Sequence, residues 1–402
     1  MKQAFKAVQI SEHVYWVGAI DFSLREFHGY ATQRGTTYNA YLVVGEKVTL
    51  IDTVKAPYKG EMLARISSVT EPDNIDVIIS NHSEMDHSGC LAEVIDLVQP
   101  ESVLASAKGV EALREHFGLD CVEALADGES LGVGDLTLSF YETRMLHWPD
   151  SMFTYLHADG ILFSQDGFGM HLASFERFAD ELDPPILEYE AAKYYANILL
   201  PYSNLVSKTL ERVSQSGLDI RMVAPDHGPI WRKDIPKVLD WYAKWADQKP
   251  TCKALVVYDT MWHSTELMAK AIGEGVSAGG ARALLLPLAG SHRSDVATQL
   301  LDAGALVVGS PTMNNNIFPT LSDVLTYIKG LRPKNLIGAA FGSYGWGGEA
   351  NKQLLAVLEE MKVQLVGEAI KAKYVPDEAA LGQCYELGLQ IAAKLKEVVG
   401  NS

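Results

Sequence analysis

The sequence predicts a two-domain α/β protein, and three features of the chain support this fold class. Its 402 residues exceed the usual length of one domain, and a hydrophobic fraction of 48% is enough for two buried cores. From Ala254 onward, short β-branched segments alternate with helical patterns, whereas the preceding part reads as long strand-like stretches interleaved with helices. The segment WADQKPT, Trp245 to Thr251, breaks the periodicity before a new strand. We therefore predict domains at residues 1–250 and 251–402.

The C-terminal domain is predicted to be a doubly wound α/β domain. Five strand-like segments are each followed by a helical pattern, and the last of these helices lies near Ala379 to Val399. The five segments are KALVVYD, ARALLLPL, ALVVGSP, KNLIGAAFGS and VQLVGEA. Such alternation is typical of a parallel sheet with helices on its faces. Ligands of these sheets bind at the loops that leave the carboxyl ends of the strands.

The N-terminal domain is predicted to be a mixed αβ sandwich, with sheets inside and helices outside. Its helical patterns lie near Gly60 to Val69 and Ser88 to Val98. Its strand-like stretches are His13 to Ile20, Thr37 to Thr53, Leu136 to Arg144 and Met152 to Ser164.

Composition excludes several classes of protein. The most apolar runs, such as Ala254 to Val257, are far shorter than the roughly 20 residues of a membrane span, and the first residues lack the apolar core of a signal peptide. A net charge of −17 disfavours nucleic acids and anionic membranes as partners, since both require a positive surface. We therefore expect a soluble, cytoplasmic protein.

The charge and the cysteines also bear on partners. Residues 251–402 carry 13 basic and 14 acidic side chains, whereas residues 1–250 carry 21 and 37, so the second domain is the better host for an anionic ligand. No CxxC pair is present, which excludes a zinc knuckle and a fused rubredoxin-type or iron–sulfur module. The four cysteines are Cys90, Cys121, Cys252 and Cys384.

A dense group of metal-binding side chains follows the apolar run Ile75 to Ser80. The next segment reads NHSEMDHSG, and a solvated loop does not explain its composition. Four strong ligands stand within six residues of this turn: His82, Glu84, Asp86 and His87.

Three further candidates stand near the ends of strand-like runs and near a glycine or proline. They are His147 at the end of YETRMLHW, Asp166 at the end of FTYLHADGILFSQD, and His227 in RMVAPDHGP. With the turn they give three or four histidines and three carboxylates, enough for two metal ions that share one carboxylate at roughly 3.5 to 4 Å separation. Imidazole and carboxylate without thiolate favour iron or manganese, and zinc remains an alternative.

Three loops at the predicted edge of the second sheet are candidates for a ligand site. After the first strand, the hydroxyls of Thr260, Ser264 and Thr265 stand at the start of a helix, where they and backbone N–H groups could hold a phosphate. The loops GSPTMNNNIFP and FGSYGWGGE after later strands are small, polar or aromatic. No GxGxxG is present, which argues against a nicotinamide cofactor.

These motifs resemble the flavodiiron proteins, also called A-type flavoproteins, along the entire chain. The first domain resembles the metallo-β-lactamase-like αββα sandwich, whose zinc hydrolases carry HxHxDH, whereas this sequence has HxExDH with Glu84 in place of the second histidine. The carboxylate makes the pocket harder and more anionic, which favours iron redox chemistry over zinc hydrolysis. The resemblance implies one iron held by His82, Glu84 and His147, a second held by Asp86, His87 and His227, and Asp166 as the bridge.

The second domain resembles flavodoxin, which implies bound FMN with its phosphate on the first loop and its ring between the other two. By this resemblance Thr312, Asn314 and Asn316 face the polar edge of the ring, and Tyr344 and Trp346 flank it. The predicted FMN-binding residues are Thr260, Met261, Trp262, His263, Ser264, Thr265, Pro311, Thr312, Met313, Asn314, Asn315, Asn316, Ser343, Tyr344, Gly345, Trp346 and Gly347.

Two residues near the predicted metal pocket are candidates for catalysis. His28 in EFHGY and Tyr195 in KYYANI, together with Trp148 and Tyr194, resemble positions near the family's metal pocket, where a proton donor or an apolar wall would help. Ordinary core packing is the alternative for each of them. In some family members water replaces the histidine that corresponds to His87, so a structural role for His87 is an alternative. His171 is not spaced as a metal ligand.

The resemblance implies reduction of O₂ to water, of NO to N₂O, or of both, with electrons that pass from rubredoxin or a similar carrier through FMN to the irons. It also implies a head-to-tail homodimer or a dimer of dimers. One alternative is a binuclear zinc hydrolase with an appended flavodoxin domain, and another is an electron carrier whose first domain is only a scaffold.

Overall fold

The computed structural model describes residues 4–400, and the contacts within the chain define two compact units. The first comprises the residues up to His28 together with 32–194 and 204–243. The second comprises 29–31, 195–203 and the residues from 244 onward. The chain therefore passes between the units more often than a single boundary at residue 250 implies.

Two sheets form the frame of the first unit. The larger has seven strands in the spatial order Val8–Gln9, Val14–Trp16, Tyr41–Val44, Val48–Ile51, Ile75–Ser80, Ser102–Ser106 and Val122–Leu125. The smaller has five in the order Ser130–Val133, Leu136–Glu142, Met152–Leu156, Ile161–Gln165 and Met222–Pro225. Both mix parallel and antiparallel pairs, and the last two strands of the smaller sheet are parallel. Shorter strands are Ala19–Asp21, Glu26–Phe27, Tyr30–Ala31 and Thr36–Tyr38.

The core of this unit lies between the two sheets, because alternate side chains of their strands point toward each other. Ile79 and Tyr41 of the larger sheet and Phe140 and Phe163 of the smaller belong to one buried cluster. Ile78 points the other way and belongs to a second cluster with the helices. The helices of this part of the chain are Lys59–Ile66, Met85–Ser88, Leu91–Val98, Ala107–Phe117, Pro184–Tyr194, Ser203–Gln215 and Ile235–Asp247.

Some predicted strands of the first domain are interrupted in the structure. Two strands replace the single stretch from Met152 to Ser164, because a tight turn with Gly160 at φ 66° joins Met152–Leu156 to Ile161–Gln165. The stretch from Thr37 to Thr53 is divided in the same way, into Thr36–Tyr38, Tyr41–Val44 and Val48–Ile51.

The second unit contains the predicted doubly wound sheet. Its strands run in the order Arg282–Pro287, Thr251–Tyr258, Ala303–Gly309 and Ile337–Tyr344, and all pairs are parallel. Gln364–Leu365 and Ile370–Lys373 both pair with the last of these strands. The first lies within the predicted strand VQLVGEA, whereas the second follows it and was not predicted. The helices are Ser264–Ala278, Arg293–Leu300, Pro319–Leu331, Glu349–Glu360 and Glu378–Gly400.

The linker predicted from Trp245 to Thr251 is shorter in the structure. The helix Ile235–Asp247 continues through Trp245, and the next strand begins at Thr251, so only residues 248–250 connect them. Trp245 is buried, and its packing holds the last helical turn although the following residues are polar. Among the described residues, no helix combines the length and the apolar character that a membrane span requires.

Candidate metal centre and flavin pocket

The candidate ligands of the first unit are delivered by the ends of strands from both sheets. The turn with His82 and Glu84 follows Ile75–Ser80, and Asp166 follows Ile161–Gln165 directly. His227 comes two residues after Met222–Pro225. His147 differs from the prediction, because the strand Leu136–Glu142 ends five residues earlier and a loop carries the histidine to the cluster.

Four buried side chains form the first half of the cluster, and one atom of each lies within 4.8 Å of the others: His82, Glu84, His147 and Asp166. His147 Nε2 lies 3.1 Å from Glu84 Oε2 and 2.9 Å from Asp166 Oδ2. His82 Nε2 lies 3.3 Å from the same Glu84 oxygen. Imidazole nitrogens and carboxylate oxygens thus converge on one point.

Asp86, His87 and His227 form the second half in the same way. His227 Nε2 lies 3.2 Å from Asp86 Oδ2, and His87 Nε2 lies 3.4 Å from Asp86 Oδ1. Asp166 connects the halves, because its Oδ1 is 3.2 Å from His87 Nε2 while its Oδ2 faces His147. A carboxylate with one oxygen toward each group is the arrangement that two metal ions with a shared ligand require.

The other ring nitrogens of His82 and His227 face outward and are held by hydrogen bonds. His82 Nδ1 donates to Asp150 Oδ2 at 3.1 Å, and His227 Nδ1 donates to the Thr37 carbonyl at 2.6 Å. His87 Nδ1 lies 3.6 Å from Asp226 Oδ2, which is longer than a hydrogen bond. Such partners orient an imidazole so that Nε2 remains available to a metal.

Asp150 holds the first turn by more than one contact. Its Oδ2 also accepts hydrogen bonds from the backbone N–H of Ser83 at 2.6 Å and from the Ser83 hydroxyl at 2.8 Å. Burial alone would raise the pKa of Asp150. The opposing effect of His82 and Ser83 is larger and lowers the pKa to about 2. Asp150 was not among the predicted site residues, although it stands three positions after His147.

The cluster fits a pair of bound cations. Both carboxylate oxygens of Asp86, both ring nitrogens of His87 and Oδ1 of Asp166 are buried without a hydrogen-bond partner in the described part of the chain. Unpaired buried groups of this kind destabilise a fold unless a ligand satisfies them. Burial opposes ionisation of Asp166, yet the neighbouring histidines hold its pKa well below the ordinary value. Four imidazoles and three carboxylates without thiolate suit iron or manganese.

The second unit has a cavity of about 650 Å³ at the carboxyl ends of its strands. Twelve of the seventeen predicted FMN-binding residues line it: Met261, Trp262, Ser264, Pro311, Thr312, Asn314, Asn315, Ser343, Tyr344, Gly345, Trp346 and Gly347. Tyr374 and Val375 line it as well and were not predicted. A size of this order and an aromatic lining are typical of a cofactor site.

Five predicted residues do not line this cavity. The hydroxyl of Thr265 is buried against Ser343, 3.0 Å away, and His263 turns toward Glu266 at 2.7 Å. The remaining three are Thr260, Met313 and Asn316. The Thr260 hydroxyl is nevertheless buried without a hydrogen-bond partner in the described residues, near the start of the helix Ser264–Ala278. A phosphate at this helix N-terminus would supply an acceptor.

Comparisons with known proteins cover both units. The family described as ODP family beta lactamase matches residues 36–228, and Flavodoxin matches residues 256–388. The nitric oxide reductase of Moorella thermoacetica is 44% identical over 97% of this chain and 99% of its own length. The rubredoxin-oxygen oxidoreductase of Megalodesulfovibrio gigas is 43% identical over 97% and 98%, respectively. The solved flavodiiron protein of Giardia intestinalis has a TM-score of 0.95 at 32% identity and covers 100% of this chain and 99% of its own.

This chain belongs to the flavodiiron protein family. The predicted family is therefore confirmed, and so is the fold of a metallo-β-lactamase-like domain with a flavodoxin-like domain. The two cofactors predicted from the sequence, FMN and a non-haem diiron site, are those of a flavodiiron protein and are confirmed with it. The alternative of a zinc hydrolase is not favoured.

Of the two residues predicted to act in catalysis, His28 lies against the diiron cluster. Its Nε2 is 2.5 Å from Glu84 Oε1, and its side chain is 47% exposed, so it connects a buried ligand with solvent. The hydrogen bond to Glu84 raises the pKa of His28. This geometry suits a residue that carries a proton to the pocket.

The structure favours Tyr194 over Tyr195 as the tyrosine beside the cluster. The Tyr195 hydroxyl donates to Ser203 at 3.2 Å, and its ring packs on Trp245 at 5.4 Å. The ring of Tyr194 lies 6.2 Å from that of His227 instead. The sequence does not distinguish the two tyrosines, because successive residues of a helix point about 100° apart and only the packing of the helix decides which ring faces the cluster.

His171, which the sequence does not predict as a metal ligand, is a further buried neighbour of the cluster. Its ring centroid is 4.4 Å from that of His227, and its Nδ1 shares a hydrogen bond of 2.8 Å with the Thr36 hydroxyl. Burial and the adjacent His227 hold the pKa of His171 well below the ordinary value. It therefore packs as a neutral ring behind the ligand.

Proposed function

We propose that this protein is an oxidoreductase that reduces O₂ to water, NO to N₂O, or both, at a diiron site supplied with electrons by FMN. The observation that carries the proposal is the buried cluster of two ligand groups joined by Asp166. Similarity to proteins named nitric oxide reductase and rubredoxin-oxygen oxidoreductase supports both substrates.

The proposed ligand assignment follows the two groups of the cluster. His82, Glu84 and His147 would hold one iron, and Asp86, His87 and His227 the other. Asp166 would bridge them. When bound, the flavin and the two irons supply the four electrons that convert O₂ and four protons to two waters, or the two that convert two NO and two protons to N₂O and water.

The protein itself orients the ligands and moves protons. Asp150 and the Thr37 carbonyl hold His82 and His227 so that Nε2 of each faces the pocket. His28 would take a proton from solvent at the exposed side of its ring and hold it at Nε2, beside Glu84. Burial of the ligands keeps bulk water away from the reacting centre.

In the second unit, the cavity is proposed to hold FMN. The hydroxyl of Ser264 and the first N–H groups of its helix would bind the phosphate, since no charged side chain is found among the described residues that line the cavity. Tyr344 and Trp346 would contact the ring, as the sequence predicts.

The proposed electron donor is rubredoxin or a similar small protein, because the sequence contains no CxxC pair of its own. The name of the relative from Megalodesulfovibrio gigas supports this partner. We also propose a head-to-tail homodimer or dimer of dimers and a cytoplasmic location. All four cysteines are free in the structure, which suits a reducing compartment.

The test uses purified protein with its metal and flavin quantified. We expect about two irons and about one FMN per chain, and about one O₂ consumed per fully reduced chain in an anaerobic single-turnover assay. NO is added in a separate sample and N₂O is measured, which establishes the preference between the two substrates. Zinc with esterase or lactamase turnover and no uptake of either gas would contradict the proposal.

A further inference from the structure

Tyr374 stands at the edge of the flavin cavity because of the pairing of two strands. The strand Ile370–Lys373 runs parallel to Ile337–Tyr344, with Lys373 opposite Tyr344. The next backbone N–H, that of Tyr374, donates to the Tyr344 carbonyl at 2.7 Å. Tyr374 therefore leaves the sheet at the same level as the loop of Tyr344 and Trp346.

The backbone at Tyr374 is strained. Its φ is 59°, in the left-handed region that a bulky aromatic residue rarely adopts. The following residues fix the loop on the other side, since Val375 precedes Pro376 and Asp377 Oδ1 accepts from the Ala380 N–H at the start of the last helix. The backbone is thus fixed on both sides of Tyr374.

The Tyr374 side chain is largely exposed, so its burial does not offset the backbone strain. Tyr374 is 61% exposed and Val375 is 71% exposed, although both line the cavity. A Cβ atom at Gly345 would lie 3.3 Å from Tyr374 Cε1, so the absence of a side chain at Gly345 leaves room for the ring. An exposed aromatic ring in a strained backbone, facing a cofactor-sized cavity, indicates a missing contact with a ligand.

We propose that Tyr374 is a flavin-binding residue whose ring contacts the isoalloxazine ring of FMN beside the loop of Tyr344 and Trp346. The aromatic character of this side of the cavity suits the ring of the flavin rather than its phosphate, which the hydroxyls near Ser264 favour. The inference rests on the proposed function, since it needs FMN in this cavity.

The experiment compares FMN binding and stability in Tyr374→Gly, Tyr374→Asn and Tyr374→Phe. FMN is removed from the purified full-length protein, its rebinding is followed by fluorescence quenching, and the melting temperature of the flavin-free protein is recorded. We expect the FMN dissociation constant to rise about tenfold in the Gly and Asn variants, and to stay within about twofold in the Phe variant, which keeps the ring. Gly and Asn tolerate a left-handed backbone, so both variants should fold.

Strain relief gives a second readout that a merely structural tyrosine would not produce. The melting temperature of flavin-free Tyr374→Gly should stay level or rise by roughly 2 °C, since glycine removes the strain although it frees the unfolded chain. Arg332→Gly is the matched control: Arg332 is exposed, has φ 55° and lies at the end of the helix Pro319–Leu331, away from the cavity lining. We expect the melting temperature of flavin-free Arg332→Gly to change as that of Tyr374→Gly does, while its FMN affinity stays native.

Failure of this inference and failure of the proposed function give different results. Native FMN affinity in Tyr374→Gly and Tyr374→Asn would overturn the role of Tyr374 and leave the proposed function intact. Failure of the unsubstituted protein to bind FMN would overturn the proposed cofactor together with this inference.

Discussion

The metal centre and the flavin cavity differ in how the chain prepares them. The proposed metal ligands are buried side chains, most of them just after strand ends, with outward hydrogen bonds such as that of His82 to Asp150. The cavity is made of loops, and two of its aromatic side chains, Trp262 and Trp346, are 86% and 89% exposed. Buried charges require cations and fixed geometry, whereas an apolar ring requires an open cleft that it can enter. The first site should therefore be coupled to folding more strongly than the second.

The largest effect is expected from the bridge. Asp166→Ala removes the carboxylate that faces both ligand groups, so we expect the iron content to fall from about two per chain to about one or less and O₂ and NO turnover to fall by about a hundredfold or more. Iron analysis, flavin absorbance and gas uptake measure this, and FMN content should not change. Asp120→Ala, an exposed aspartate paired with Arg114, is the control. Native iron content in Asp166→Ala would contradict the assignment.

The next largest effect is expected when each cofactor is removed from the native protein. Metal removal leaves the unpaired ligands of Asp86, His87 and Asp166 buried, so we expect the melting temperature to fall by roughly 10 °C. Removal of FMN should lower it by only about 3 °C, because the cavity is open and uncharged. Calorimetry of the four forms of the protein measures both changes. Equal shifts would remove the contrast between the two sites.

A smaller effect is expected at the partner of His82. Asp150→Asn weakens the hydrogen bonds that orient the His82 ring, so iron affinity should fall by about tenfold to a hundredfold without loss of the fold. Competition with a chelator measures the affinity. The matched control is Asp159→Asn, which alters another carboxylate–histidine pair, with His13 at 2.6 Å, outside the cluster. Equal iron retention in the two variants would contradict the positioning role of Asp150.

The smallest effect is expected in the flavin cavity. Trp346→Ala should raise the FMN dissociation constant about tenfold through lost contact with the ring. Because Trp346 is exposed, the melting temperature of the flavin-free protein should change by less than about 1 °C. A loss of stability without a loss of FMN affinity would mean that the side chain serves the fold instead.

Much of the metal centre could be predicted because its ligand types are rare together and stand at recognisable strand ends. The turn from His82 to His87 and the residues Asp166 and His227 all follow strands in the structure. The flavin loops were predicted for the same reason, since three loops follow strands of one parallel sheet. Tyr374 was missed because it follows the short strand Ile370–Lys373, which lies beyond the predicted strand VQLVGEA and was not predicted.

The sequence by itself determined the two-domain α/β fold, the ligand types and the replacement of a histidine by Glu84, because periodicity and chemical identity are local properties of the chain. Only the tertiary structure decided which other side chains contact the candidate metal ligands. Asp150 meets His82 across 68 positions, and Tyr194 rather than Tyr195 lies against His227. Such contacts depend on how strands and helical turns are rotated relative to each other, and that rotation is set by packing of the whole core.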